Sequence, residues 1–200
     1  MSLRDDALSV VAEWSAPGPR QELLRAEIAG HLSAHADGVW RTCFPDHLTA
    51  GTIVLSEDAE HVLLNLHGKA RRWFAFGGHC EEGDATLAAV ARREALEESG
   101  LAADVLAFDP VPVHMDIHSV GFCDPRGMVR HLDVRFVATV PTATAHRPSE
   151  ESLDVRWWPV AGLPELGEEM HDLIAHARSR VLDQSTSPAG SSRPADQPSR

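Results

Sequence analysis

Gly77-Gly78-His79-Cys80-Glu81-Glu82-Gly83-Asp84, followed by Arg93-Glu94-Ala95-Leu96-Glu97-Glu98-Ser99-Gly100-Leu101, is the stretch on which the fold of this chain turns. Leu87, Val90, Ala91 and Ala95 recur at helical spacing, which predicts a helix over residues 84–99 with an apolar stripe for packing. Gly100 is placed to stop it in the left-handed conformation common just past helix ends. Glu94, Glu97 and Glu98 stand at i, i+3 and i+4, on one side of its last turns. Like charges so placed repel by roughly a few tenths of a kcal/mol per pair. Arg93, four residues before Glu97, relieves part of that strain. Three converging carboxylates suit a hard divalent cation, since Mg²⁺ takes oxygen ligands and keeps several waters. The glycine-punctuated segment ahead of the helix reads as a loop whose backbone approaches a ligand closely.

Outward from this segment the chain changes texture twice. Residues 4–36 read as two helices broken at Pro17-Gly18-Pro19, with Leu8, Val11 and Ala12 on one face, then Leu24, Ile28 and Leu32 at i, i+4 and i+8. From Leu48 short β-rich runs take over, Thr52–Leu55 and His61–Leu66, joined by the polar connection Glu57–Glu60. Arg72–Phe76 is a third strand ending at the glycines. Beyond the helix come Val111–Phe122 and Val129–Val140, linked by a turn at Asp124-Pro125-Arg126-Gly127, then a strand Val155–Trp158 and a closing helix Pro164–Leu182. Strands, helix, strands, helix is the order of an α+β sandwich, preceded here by a short helical extension. The expected division is a helical extension over 1–45, a catalytic domain over 46–183 and a tail over 184–200. That tail lacks large apolar residues and is read as disordered.

Composition narrows the function classes. With 43% hydrophobic and 24% charged residues, the 200-residue chain has the make-up of a folded soluble protein. Its net charge of −12 argues against a coat for nucleic-acid polymer. Seven carboxylates between residues 81 and 104, against Arg92 and Arg93, account for five of those negative charges. Cys43, Cys80 and Cys123 are sparse, odd in number and without a CxxC pair, which fits reduced thiols. The chain lacks a signal-like start and an apolar run of membrane-spanning length, so a cytoplasmic location without membrane contact is expected.

The quoted stretch resembles the box of the Nudix hydrolases, G-x5-E-x7-R-E-U-x-E-E-x-G-U with U apolar. The match covers about 24 residues: Arg93, Glu94, Glu97, Glu98 and Gly100 fall in register with one another, and Gly78 stands as the leading glycine. Two positions depart from it: Asp84 replaces the first glutamate, and eight residues rather than seven separate it from Arg93. The extra residue makes Asp84 read as the helix N-cap. The resemblance implies a Nudix-type α/β/α sandwich with a mixed sheet, and hydrolysis of a diphosphate linkage in a small nucleoside diphosphate derivative with Mg²⁺ or Mn²⁺. It implies Glu94 and Glu98 as principal metal ligands, Glu97 as a further ligand or participant in water activation, and Arg93 as the residue orienting them. Glu150 or Glu151, in a loop downstream of the box, is a candidate base, with Glu151 preferred. An isomerase of allylic diphosphates, sharing the fold and a Gly-His loop like Gly78-His79, is an alternative. A non-catalytic module of the same fold that senses a nucleotide is another.

The remaining candidates come from strand alternation. His114, Asp116 and His118 point to one face of their strand, as do His131, Asp133 and Arg135 on its partner. The paired patch reads as a second metal site, a substrate-binding surface or a wet outer face. His79, beside Gly77 and Gly78, is a candidate substrate or metal contact. His67 reads as loop surface, and His31, His35, His171 and His176 as surface or satisfied packing residues on helices. Trp157 and Trp158 read as core rather than as a stacking platform. Residues 1–45 are read as a dimerisation element, a cap on the sheet or a pocket wall, so a homodimer is among the expectations.

Overall fold

Among the described residues, the β-rich middle of the chain forms one mixed sheet of seven strands. In the computed structural model, residues 1–141, 144–147 and 152–186 are described. Strand β1 (Asp46–Ser56) is the centre, antiparallel to β2 (His61–His67) and β4 (Phe76–His79). It runs parallel to β6 (Gly127–Val140) along its whole length, from Asp46 opposite Arg130 to Ser56 opposite Val140. Strand β5 (Ala107–Asp124) forms a hairpin with β6 and is the edge of the sheet. On the other side β2 also pairs with β3 (Trp73–Phe74) and β7 (Ser152–Pro159).

Helices cover both faces. On one, Val11 of α1 (Leu3–Glu13) and Ile28 and Leu32 of α2 (Pro19–Ala34) share a core with Leu87, Val90 and Ala91 of α3 (Leu87–Ser99). Leu48, Ala50, Leu132, Val134 and Phe136 of the sheet complete that core. On the other, Met170, Leu173, Ile174 and Ala177 of α4 (Glu168–Thr186) pack on Ile53, Leu55, Val62 and Val137. The expected α+β sandwich with a mixed sheet is therefore present.

The extension is welded to the sheet. The buried face of α1 is Leu3, Asp6, Ala7 and Val11, with Ala12 turned to solvent, so the expected face was rotated by about one position. Asp6 accepts the Leu87 N–H at 2.8 Å, and the Thr86 hydroxyl accepts from Ala89 N at 3.1 Å. Two separate residues thus satisfy orphan amides at the start of α3, whose positive end favours the Asp6 charge. Gln21 makes a two-way contact with the β5 backbone, donating to Met115 O at 3.0 Å and accepting from Met115 N at 2.7 Å. Trp14 Nε1 donates to Pro112 O at 2.6 Å.

Other differences have local causes. Strand β1 begins at Asp46 rather than Thr52, and ten of its eleven residues are buried. His47, Thr49 and Gly51 hid that start, because they are not the apolar residues that mark buried strands. The glycines read as a loop form β4, with Gly77 opposite Gly51 and Gly78 opposite Ala50. A Cβ on Gly77 would lie 2.8 Å from Gly51 Cα, so two strands approach there as only glycines allow. Helix α4 runs through Thr186, so the first three residues of the expected tail are helical, while 187–200 lie outside the described residues.

Candidate functional site

Where α3 ends beside β4, the acidic segment becomes a fixed arrangement. Gly100, at φ 63°, stops the helix in the left-handed conformation. A Cβ on Gly78 would sit 2.6 Å from both Cδ and Oε1 of Glu94, so the carboxylate rests directly on bare backbone. The Gly77 N–H donates to Glu98 Oε2 at 3.0 Å. Arg93 ties the cluster together. Its Nη1 reaches Glu94 Oε1 at 2.8 Å and Glu97 Oε2 at 3.2 Å, while Nη2 donates to the His79 carbonyl at 3.0 Å. Its remaining edge, Nε and Nη2, grips Asp84 Oδ1 and Oδ2 at 3.3 and 3.0 Å, the two-pronged geometry of a strong carboxylate contact.

Asp84 is therefore not the N-cap. Thr86 takes that role, and the additional residue lets the shorter Asp84 side chain reach Arg93 from the loop. Burial pushes the Glu94 carboxyl above its ordinary value, with Arg93 working against the shift. A half-buried carboxylate on a face with Glu97 and Glu98 has the oxygen-donor chemistry that a hard cation satisfies.

These side chains open onto a cleft of about 830 Å³ that also reaches His79, Asp116, His118, His131 and Asp133. The β5–β6 register sets Asp116 opposite Asp133 and His118 opposite His131, as strand alternation anticipated. Arg135 is the keystone of this floor. It is 5% exposed and bonds Asp133 Oδ2 at 2.6 Å and Asp116 Oδ2 at 3.2 Å. Thr49 donates to Asp133 Oδ1 at 3.0 Å, and the His118 ring N–H to Asp116 Oδ2 at 3.0 Å. Burial alone would raise Asp116, but the His118 hydrogen bond and the Arg135 charge outweigh it and hold the carboxyl near 2. Burial would raise Asp133 as well, but the Arg135 charge holds it below its ordinary value, so both aspartates are anionic at neutral pH.

Not every expected residue joins the cleft. His114 is 1% exposed, its ring tilted at 40° and 5.7 Å from the His176 ring of α4, and does not line the cavity. Burial, seconded by Arg135, pushes its imidazole down to about 3. Glu151 and Glu150 lie outside the described residues. Trp158 packs edge-on against Trp73 at 5.4 Å, in the core role expected of it.

Sequence reading missed other wall residues. His67, read as surface, ends β2 and lines the cleft near Phe74 and Phe122. Asn65 is 2% exposed and faces the cleft with no partner for Oδ1 among the described residues; Arg135 Nη1 is likewise unpartnered. An asparagine inside an apolar strand run was the available signal for the first.

The sequence profile of the NUDIX domain matches residues 45–177. A curated mouse (Mus musculus) protein, "Oxidized purine nucleoside triphosphate hydrolase", is 41% identical over 78 residues, 34% of this chain and 49% of that protein. The match thus spans about half the length of that relative. A NUDIX-family hydrolase from Clostridium perfringens superposes with TM-score 0.51 at 23% identity, over 70% of this chain and 97% of that one. An Ap4A hydrolase from C. elegans superposes at 0.57 and 16% identity, over 68% and 98%. At these identities the structural likeness is one of fold. Among the described residues, no helix is long and apolar enough to cross a membrane.

Proposed function

Since the chain belongs to the Nudix family, we propose that it hydrolyses a diphosphate linkage in a nucleoside diphosphate derivative, with Mg²⁺ or Mn²⁺ as cofactor. The observation that carries this reading is the seating of Glu94 and Glu98 on the bare backbone of Gly78 and Gly77, at the mouth of the cleft. Glu94 and Glu98 would hold the cation, with Glu97 beside them. Bound there, a divalent cation supplies neutralisation of the diphosphate charge and acidification of the attacking water.

The chain's own groups do the rest. Arg93 fixes the orientation of Glu94 and Glu97 and is itself fixed by Asp84 and the His79 carbonyl. Glu97, the exposed member of the trio, is proposed to take the proton of the attacking water, and Glu151 is the second candidate. Arg41, Lys69 and Arg72 line the cleft and offset the carboxylates for an anionic substrate. Phe74 and Phe122 offer ring faces for a base, while Asn65 Oδ1 and Arg135 Nη1 offer a free acceptor and donor for its edge. The mouse relative's activity makes purine nucleoside triphosphates the first substrates to try.

The test is release of phosphate or pyrophosphate from a panel of nucleoside triphosphates and diphosphate-linked nucleotides in Mg²⁺. Glu98→Gln is expected to lower kcat about 10²-fold or more on the best substrate. Equal rates for the two proteins across the panel reject this site. Formation of dimethylallyl diphosphate from its isomer would instead support the isomerase reading.

A further inference from the structure

In one wall of the cleft, three imidazoles converge on a single sulfur, with His79, Cys123 and His131 lining the cavity and His47 buried beneath them. Cys123 Sγ is 3.3 Å from His79 Nε2, 3.3 Å from His131 Nε2 and 3.9 Å from His47 Nε2. The four candidate ligand atoms all lie within 4.8 Å of one another. The residues come from three parts of the sheet: His47 from β1, His79 from the end of β4, and Cys123 and His131 from either side of the β5–β6 turn. Pairing of β1 with β6 sets His47 directly opposite His131.

We propose that His47, His79, Cys123 and His131 form a structural zinc site, distinct from the glutamate cluster of α3. In a tetrahedral centre, bonds of about 2.3 Å to sulfur and 2.0 Å to nitrogen put the sulfur roughly 3.5 Å from each nitrogen. The three observed distances bracket that value. Thiolate and imidazole favour zinc over Mg²⁺, whereas the carboxylates of α3 favour the harder ion.

The proton inventory points the same way. His47 is fully buried and its Nδ1 lies 3.3 Å from the Cys43 carbonyl, a contact only an N–H can make. Its Nε2 therefore carries a lone pair, and that lone pair faces Cys123. This is the outer hydrogen bond that orients a metal-bound histidine. His79 and His131 can each turn a lone pair to the same centre in their Nδ1–H tautomers, and a cation there would satisfy three nitrogens and the thiolate at once. Zinc binding releases the Cys123 thiol proton to solvent and leaves the imidazoles neutral.

Four protein ligands close the coordination shell, which is the signature of a structural rather than a catalytic centre. The site would clamp the end of β4 to β1 and to the hairpin. That end carries the His79 carbonyl gripped by Arg93, so the clamp also steadies the base on which Glu94 rests.

The experiment is metal analysis of the full-length protein after dialysis into Mg²⁺ buffer, followed by exchange of the retained metal for Co²⁺. The expected result is one zinc ion per chain, and a cobalt form with tetrahedral visible bands and a thiolate-to-cobalt charge-transfer band. Cys123→Ser should abolish that band, and His131→Gln should lower zinc content about tenfold. Glu94→Gln and Glu98→Gln should retain the zinc. Wild-type protein that is folded by circular dichroism yet keeps no zinc and shows no charge-transfer band overturns the site, whatever the variants do. So does zinc lost in Glu98→Gln and kept in Cys123→Ser, which would assign the metal to α3.

Discussion

Replacing Gly78 by alanine separates the site's geometry from the stability of the fold. The new Cβ would lie 2.6–2.7 Å from the Glu94 carboxylate, where ordinary contact begins at 3.4 Å. Glu94 must therefore retreat by about 0.8 Å, and displacements of about 1 Å at a reacting centre cost on the order of 10²-fold in rate. The obstacle is the end of a flexible side chain, and Gly78 does not have a positive φ, so the backbone accepts alanine without strain. Stability should stay within about 1 kcal/mol of wild type, helped by the smaller entropy of the unfolded alanine chain. The expected outcome is an unchanged urea midpoint with kcat/KM about 10²-fold lower on the best substrate, equivalent to about 2.7 kcal/mol of transition-state stabilisation. Gly77→Ala is the contrast. Its Cβ would meet backbone, Gly51 Cα at 2.8 Å and Ala50 O at 2.9 Å, so overpacking should cost about 1–3 kcal/mol of stability. If Gly78→Ala matches wild-type kcat/KM within twofold at saturating Mg²⁺, the close seating of Glu94 does not matter to activity and the reasoning fails.

Other outcomes follow from the same contacts. Asp6→Ala removes the acceptor for Leu87 N and should lower unfolding free energy by about 1 kcal/mol, read from urea denaturation. Arg93→Lys replaces a planar fork that reaches four acceptor groups by a point charge; kcat should drop about 10–100-fold, with Asp84→Asn shifting it less in the same direction. His114 titrates near 3 when folded and near its ordinary 6.5 when unfolded. Between those values the unfolded chain binds a proton the folded chain refuses, so stability falls as pH drops from about 6.5 toward 3. His114→Gln should lower the slope of urea stability against pH in that window by up to about 1.4 kcal/mol per unit; an unchanged slope refutes the assignment.

The half of the site that could be read from sequence is the half built by one helix. Spacing alone puts Glu94, Glu97 and Glu98 on a common side of α3, because helical geometry is local. Asp84 defied that reading, since its role depends on how a loop folds back onto Arg93 nine residues on. The glycine pair was misassigned for a related reason: Gly77 and Gly78 are strand residues only because Ala50 and Gly51 lie across from them. His47 and Cys123 went unremarked as partners because 76 residues separate them and no short motif links them. The hairpin patch was legible as far as Asp116, His118, His131 and Asp133, because alternation along paired strands is also local. His114 obeys the same alternation but lies beneath α4, which no strand pattern reveals.

The contact between Gln21 and Met115 bears on how this protein behaves in a crowded solution. A sheet's outermost strand normally presents a row of unpaired amides and carbonyls to any passing strand. Here one side-chain amide occupies both backbone groups of Met115, and the Trp14 indole occupies the carbonyl of Pro112. Pro110 and Pro112 have no N–H to offer. The N-terminal helices thus serve as a dust cover on the β5 edge. A version trimmed to the family's boundary at residue 45 would bare that edge, and self-association through it would be the first defect to look for.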